Sequence, residues 1–94
     1  MKTMYVYILT NKSKTTVYVG VTSDLKKRLT EHKDKLHPTS FTAKYNLNIL
    51  VYFEEIEGQF ASIDREKQIK KYSREKKNAL IEQRNPNWDE LTVE

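Results

Sequence analysis

The sequence predicts an α+β fold: a three-stranded antiparallel sheet flanked by helices, in the order β-β-α-β-α-α. Three observations carry that expectation. Two short runs near the N-terminus alternate their side chains with period two, and a third such run lies in mid-chain. Between and after them, apolar residues recur at helical spacing among many lysines and glutamates.

The first run, "MYVYIL" at 4–9, sends Met4, Val6 and Ile8 to one side and Tyr5, Tyr7 and Leu9 to the other. Its β-branched and aromatic content favours a strand. The polar connector "TNKSKT" leads to "TVYVGV" at 16–21, where Val17, Val19 and Val21 oppose Tyr18 and Gly20. Two such runs joined by a short polar loop read as an antiparallel hairpin. Ser23 stands as the N-cap of the next helix, with Asp24 favourably placed in its first turn. Leu25, Leu29 and Leu36 mark one stripe of that helix, which is expected to fray near Leu36, ahead of Pro38. Residues 41–46 form a turn or a short helical piece. Residues 47–55 form the third strand, with Ile49, Val51 and Phe53 on one face and Leu50 and Tyr52 on the other. After Gly58 a helix runs from Gln59 to Tyr72, its apolar side built from Phe60, Ile63 and Ile69. A last helix, capped by Ser73, covers 74–84, and the tail "NPNWDEL" is expected to fold Trp88 and Leu91 back onto the body.

The chain is too short for a second hydrophobic core, so residues 1–94 are expected to form one domain. It contains no cysteine, which excludes disulfides, thiolate metal sites and cysteine nucleophiles. No apolar run approaches the roughly 20 residues of a membrane span, and the N-terminus lacks the pattern of a signal peptide. The expected location is therefore cytoplasmic, with no membrane partner. Seventeen basic residues face thirteen acidic ones, and their distribution says more than the net charge of +4. "REKQIKKYSREKK" at 65–77 holds seven basic and two acidic residues, and "KKRLTEHKDK" at 26–35 holds five and two. Such clustering suits a polyanion. Lys27, Lys67, Lys70, Lys71 and Arg74 are the candidates for phosphate contacts.

Several residues do not belong to a plain core. Glu66 sits three residues after Ile63 and three before Ile69, on the side expected to face the sheet. A carboxylate there needs a cation, either a basic side chain or a metal ion. Arg28 and His32, four apart, stack on one helical face beside Leu25 and Leu29. Taken singly, His32 reads as a hydrogen-bonded core histidine and Arg28 as a snorkelling surface residue. With Tyr7 and Tyr18 on neighbouring strands, these groups could meet in one concavity, where a guanidinium fork would suit a phosphate. Gly20 keeps the strand surface low for a close approach.

The ordered set resembles the GIY-YIG nuclease domain. "YVYIL" at 5–9 stands at its first motif, with Tyr7 on that motif's tyrosine, and Tyr18-Val19-Gly20 matches Tyr-Ile-Gly. Arg28 and His32 in "DLKKRLTEH" match the helix motif, and Glu66 in "DREKQIKK" matches the family glutamate. The stretches "FTAKYNLNILVYFEE" and "NPNWDEL" are similar to the small stand-alone, excinuclease-like subfamily, a resemblance that points towards DNA repair. Tyr5 replaces the glycine of the family name, and Tyr72 replaces the subfamily's usual tryptophan. Asn78, Asn85 and Asn87 are candidates for the downstream asparagine of several family nucleases.

The resemblance implies metal-dependent hydrolysis of DNA phosphodiester bonds. Glu66 would hold Mg²⁺ or Mn²⁺, Arg28 would offset charge developing on the phosphate, and Tyr7 or Tyr18, helped by His32, would orient or deprotonate the attacking water. Substrate choice would rest on DNA structure or on a targeting protein partner. The rival expectation is a non-catalytic nucleic-acid-binding or protein-docking module. An RNA-binding accessory protein is compatible with the basic windows, but the sequence offers no evident triplet of exposed aromatics for base stacking.

Overall fold

The structure, a computed structural model, describes residues 1–93. Its elements are β1 (Thr3–Thr10), β2 (Val17–Thr22), α1 (Leu25–Lys33), α2 (Phe41–Lys44), β3 (Ile49–Glu57), α3 (Gln59–Lys70) and α4 (Arg74–Arg84). The α+β expectation holds, with the short helical piece at 41–44 realised as α2. The sheet is antiparallel in the order β2-β1-β3, so β1 is central and Tyr7 lies in the middle of the sheet. Among the described residues no helix is long and apolar enough to cross a membrane.

The period-two pattern divides the molecule into two layers. Val6, Ile8 and Val19, flanked by Val17 and Val21, pack with Ile69 of α3, Ile81 of α4 and Trp88. On the opposite face Tyr7 and Leu9 pack with Leu25 of α1, Leu47 and Leu50, flanked by Tyr5, Tyr18 and Leu29. The third strand corrects the expected alternation. Ile8 pairs with Tyr52 but Leu9 pairs with Leu50, so Val51 is an inserted residue, a β-bulge. Past it the side chains exchange faces: Tyr52 joins the α3/α4 layer with Val51, and Phe53 joins the α1 layer with Leu50.

Helix α1 is capped by Asp24, which accepts from the Lys27 amide at 3.1 Å, not by Ser23. It stops before Leu36, which is 58% exposed and outside the stripe. The stop is local: Lys35 adopts φ 50°, its amide donates to His32 O, and the Leu36 amide donates to Glu31 O. These are the two bonds of a Schellman ending, built here on a lysine in the left-handed region. Replacing Lys35 with glycine is therefore expected to stabilise the fold by about 1 kcal/mol, raising Tm by a few degrees in a thermal melt.

The stripe expected on α3 is also corrected. Residues spaced by three drift round a helix by roughly 60° at each step, so Phe60 and Ile69 end up on opposite sides. Phe60 is 86% exposed, and the sheet-facing line is Ser62 and Ile69. That line falls between Arg65 and Glu66, which diverge by roughly 100°. Arg65 Nε and Nη2 clasp the Glu54 carboxylate of β3 at 2.8–3.2 Å, and Tyr52 donates its phenol proton to the same group. Burial, then the Glu54 contact, pushes the Tyr52 phenol up to about 12, which keeps it a donor. This clasp fixes the roll of α3 and so the direction of Glu66.

Candidate active site

Tyr7 projects from β1 and is fully buried, its hydroxyl ringed by groups that α1 delivers one turn apart. Arg28 Nε donates to Tyr7 Oη at 3.4 Å, and His32 Nε2 lies 3.1 Å from the same oxygen. On the other side of the ring, His32 Nδ1 lies 3.0 Å from Thr42 Oγ1, supplied by α2, and Ser40 Oγ lies 3.2 Å beyond. Burial raises the Tyr7 phenol above its ordinary value against the opposing pull of Arg28, so Tyr7 carries its proton near neutrality. Burial, and then the Arg28 charge, holds His32 below its ordinary value, so the imidazole is neutral there. His32 Nε2 is the acceptor beside the buried Tyr7 phenol, so with both groups neutral the contacts suit one direction: Arg28 donates to Tyr7, Tyr7 donates to His32 Nε2, and His32 Nδ1–H donates to Thr42.

Arg28 is held from a second side by Glu31, at 3.3 Å from Nη1. The Tyr7 oxygen, desolvation notwithstanding, and Glu31 together bind its proton more tightly than usual. The guanidinium is thus oriented and remains charged.

Gly20 sits directly opposite Tyr7 across the β1–β2 ladder. A Cβ there would lie 2.5 Å from Tyr7 Cζ and Oη and 2.9 Å from Tyr18 Cε2. The close approach expected at this glycine is therefore made by the Tyr7 phenol: the missing side chain is the space the hydroxyl occupies.

Tyr18 leaves the edge strand β2 with its ring 6.4 Å from that of Tyr7 and 6.0 Å from that of His32. It is part-exposed and shares a cavity of about 190 Å³ with Arg28 and His32. Glu66 approaches from α3. Its side chain is only 15% exposed, and its charge is felt at the Tyr7 phenol, which it helps to raise. Its ionic partner is Lys70, 3.4 Å away and one turn on, whose ammonium also lies 6.0 Å from the Tyr18 ring centre. Lys70, a candidate for phosphate contact, thus stands beside Glu66 and Tyr18. Lys27, Lys67 and Lys71 are exposed. Arg74 instead anchors the hairpin loop, donating to the Lys14 and Thr15 carbonyls and to Asn78.

Two of the three asparagine candidates, Asn78 and Asn85, have structural work. Asn85 is buried and donates to the Val51 and Asp89 carbonyls, while Asn78 accepts from Arg74. Thr42 is the site residue that the sequence reading missed, because a threonine in a four-residue helix carries no signal of its own.

The donor set suits one kind of cation. Among the described residues no group of three or more His, Cys, Asp or Glu side chains is placed to hold a metal ion. A single, mostly buried carboxylate fits a hard ion that keeps most of its ligands as water and substrate oxygen, the habit of Mg²⁺.

Comparison with known proteins gives the family and the fold. The model of the GIY-YIG catalytic domain matches residues 3–79. The chain is 40% identical over 83 residues to a UPF0213 protein of Syntrophus aciditrophicus, covering 88% of this chain and 94% of the relative. It is 37% identical over 79 residues to one of Haloquadratum walsbyi, covering 84% and 86%. A solution NMR structure of a UPF0213 protein from Bacillus halodurans is similar with a TM-score of 0.59 at 25% identity, covering 94% of this chain and 92% of that one.

Proposed function

Because the chain belongs to the GIY-YIG nuclease family, we propose that it is a metal-dependent endonuclease that hydrolyses DNA phosphodiester bonds, selecting its substrate by DNA structure or through a targeting partner. The observation that carries this reading is the line of contacts Arg28–Tyr7–His32–Thr42 beside a cavity that Arg28 shares with Tyr18.

Arg28, clamped by Tyr7 and Glu31, presents its remaining N–H groups to a phosphate oxygen and offsets the charge that grows there. Between the two tyrosines left open as the water-handling group, Tyr18 is the better placed, since it has exposed surface on the cavity and Tyr7 has none. Tyr18 Oη orients the attacking water, and Tyr7 and His32 act as positioning residues for Arg28. Glu66 would hold the divalent ion, Mg²⁺ or Mn²⁺, which when bound polarises the phosphate and steadies the departing oxyanion.

The proposal is tested by incubating the purified protein with nicked, branched, single-stranded and fully paired DNA, with Mg²⁺ or Mn²⁺ and with chelator. Metal-dependent cutting that is lost in Arg28→Ala supports it. Binding without cutting in every metal supports the docking-module reading instead.

A pH dependence follows from His32. Protonation turns Nε2 from acceptor to donor, so it opposes the Tyr7 proton and sets a second charge beside Arg28. Activity is therefore expected to be full above about 6.5, the ordinary histidine value, and to fall as the pH drops through the lowered value in the folded protein. Stability follows the same sign: the unfolded chain takes up the proton first, so stability is lost on acidification through that window. His32→Gln should lower kcat by about 10²-fold, the cost of a misplaced orienting contact, and abolish the acidic limb of the pH profile. A retained limb would remove His32 from the account.

A further inference from the structure

Beyond the directed chain, Phe41 lines the same cavity, and Tyr45 packs against it from outside. Phe41 and Tyr45, the first residue of α2 and the residue after its last, are 51% and 42% exposed. Their ring centres lie 4.8 Å apart, and Phe41 is 6.5 Å from Tyr18 with the planes inclined by only 32°. Tyr18 in turn meets His32 edge-on. A run of aromatic rings therefore leads outward from the candidate phosphate site, from Tyr18 and Phe41 on the cavity wall to Tyr45 beyond it. Cations flank it: Lys35 and Arg28 line the cavity, and Lys44 Nζ lies 5.5 Å from the Tyr45 ring centre. Aromatic faces beside a basic track are the means by which proteins hold unpaired nucleotides, since every base has a π-face and each sugar-phosphate unit a charge.

From this arrangement we propose that Phe41 and Tyr45 form a stacking platform for unpaired bases of a DNA strand whose phosphate lies at Arg28. The inference deepens the nuclease reading and rests on it: it names single-stranded or locally unpaired DNA as the preferred substrate class. The sequence shows no such triplet because part-exposed Tyr18 joins Phe41 and Tyr45 only through the fold. α2 couples the two sites, because Thr42, next to Phe41, holds His32. Sequence-tolerant binding is expected, as stacking reads no base edge.

Binding is measured in chelator, so that cutting plays no part. A single-stranded oligonucleotide carrying 2-aminopurine should be quenched on binding, and Phe41→Ala should weaken its Kd about tenfold and relieve the quench. Phe41→Trp should restore both, while affinity for blunt, fully paired duplex should change less than about twofold. An equal loss on duplex, or no loss at all, would overturn the platform, as would tighter stacking of an RNA strand of the same sequence. The two readings fail separately: selective stacking without cutting in metal keeps the platform and removes the nuclease, and cutting that ignores Phe41→Ala does the reverse. Because Phe41 is exposed, a Tm unchanged from wild type shows that the variant is folded.

Discussion

Glu66→Ala is expected to reduce DNA cleavage by on the order of 10³-fold while leaving DNA binding in chelator intact or slightly stronger. The direction follows from the pair that Glu66 makes with Lys70 at 3.4 Å. Removing the carboxylate leaves Lys70 unopposed beside Tyr18, which attracts a phosphate as it removes the support for a cation. Little stability should be lost, because the Lys70 side chain is nearly half exposed and such pairs contribute at most about 1 kcal/mol. Single-turnover rates with Mg²⁺, set beside a denaturation curve, check both statements. Cleavage that survives the substitution would place the metal site elsewhere.

Gly20→Ala is expected to damage fold and activity together. The added methyl would sit 2.5 Å from the Tyr7 ring and hydroxyl, and Tyr7 has no exposed side through which to retreat. Overpacking of this kind costs about 1–3 kcal/mol. The displaced hydroxyl would also release Arg28 Nε and His32 Nε2, and a shift of about 1 Å at an orienting contact can lower turnover by about 10²-fold. Denaturant unfolding and kcat, measured on the same preparation, test the two parts. An alanine variant of native stability and full turnover would show that Tyr7 has room that its packing denies.

The sequence made the sheet and the four-residue steps of α1 legible because both repeat. Val17, Val19 and Val21 against Tyr18 and Gly20 describe a strand without outside help, and Arg28 with His32 describes one helical face. What escaped was whatever depends on a single residue or on distant packing. The bulge at Val51 follows from pairing with β1, and nothing in "NILVYFEE" announces it. Phe60 reads as core if its three-residue steps are joined into one stripe, whereas the roll of α3 is set by Arg65 on Glu54. Thr42 and Phe41 gained their places from a loop whose path no periodicity records. Of the candidate site, the five residues in family order were readable. Their division into a sealed tyrosine and an open one was not.

The segment after α4 extends the footprint that the family match outlines. Trp88 closes the layer beneath α3 and α4, the Leu91 amide donates to Leu50 O at 2.8 Å, and Leu91 packs into the opposite layer. A single strap therefore grips the free margin of β3 and touches both sides of the sheet. Its amide engages a carbonyl that an exposed margin would offer to a neighbouring molecule, so this C-terminal wrap guards the protein against strand-to-strand association. The packed unit thus reaches past residue 79, where the match to the family domain stops.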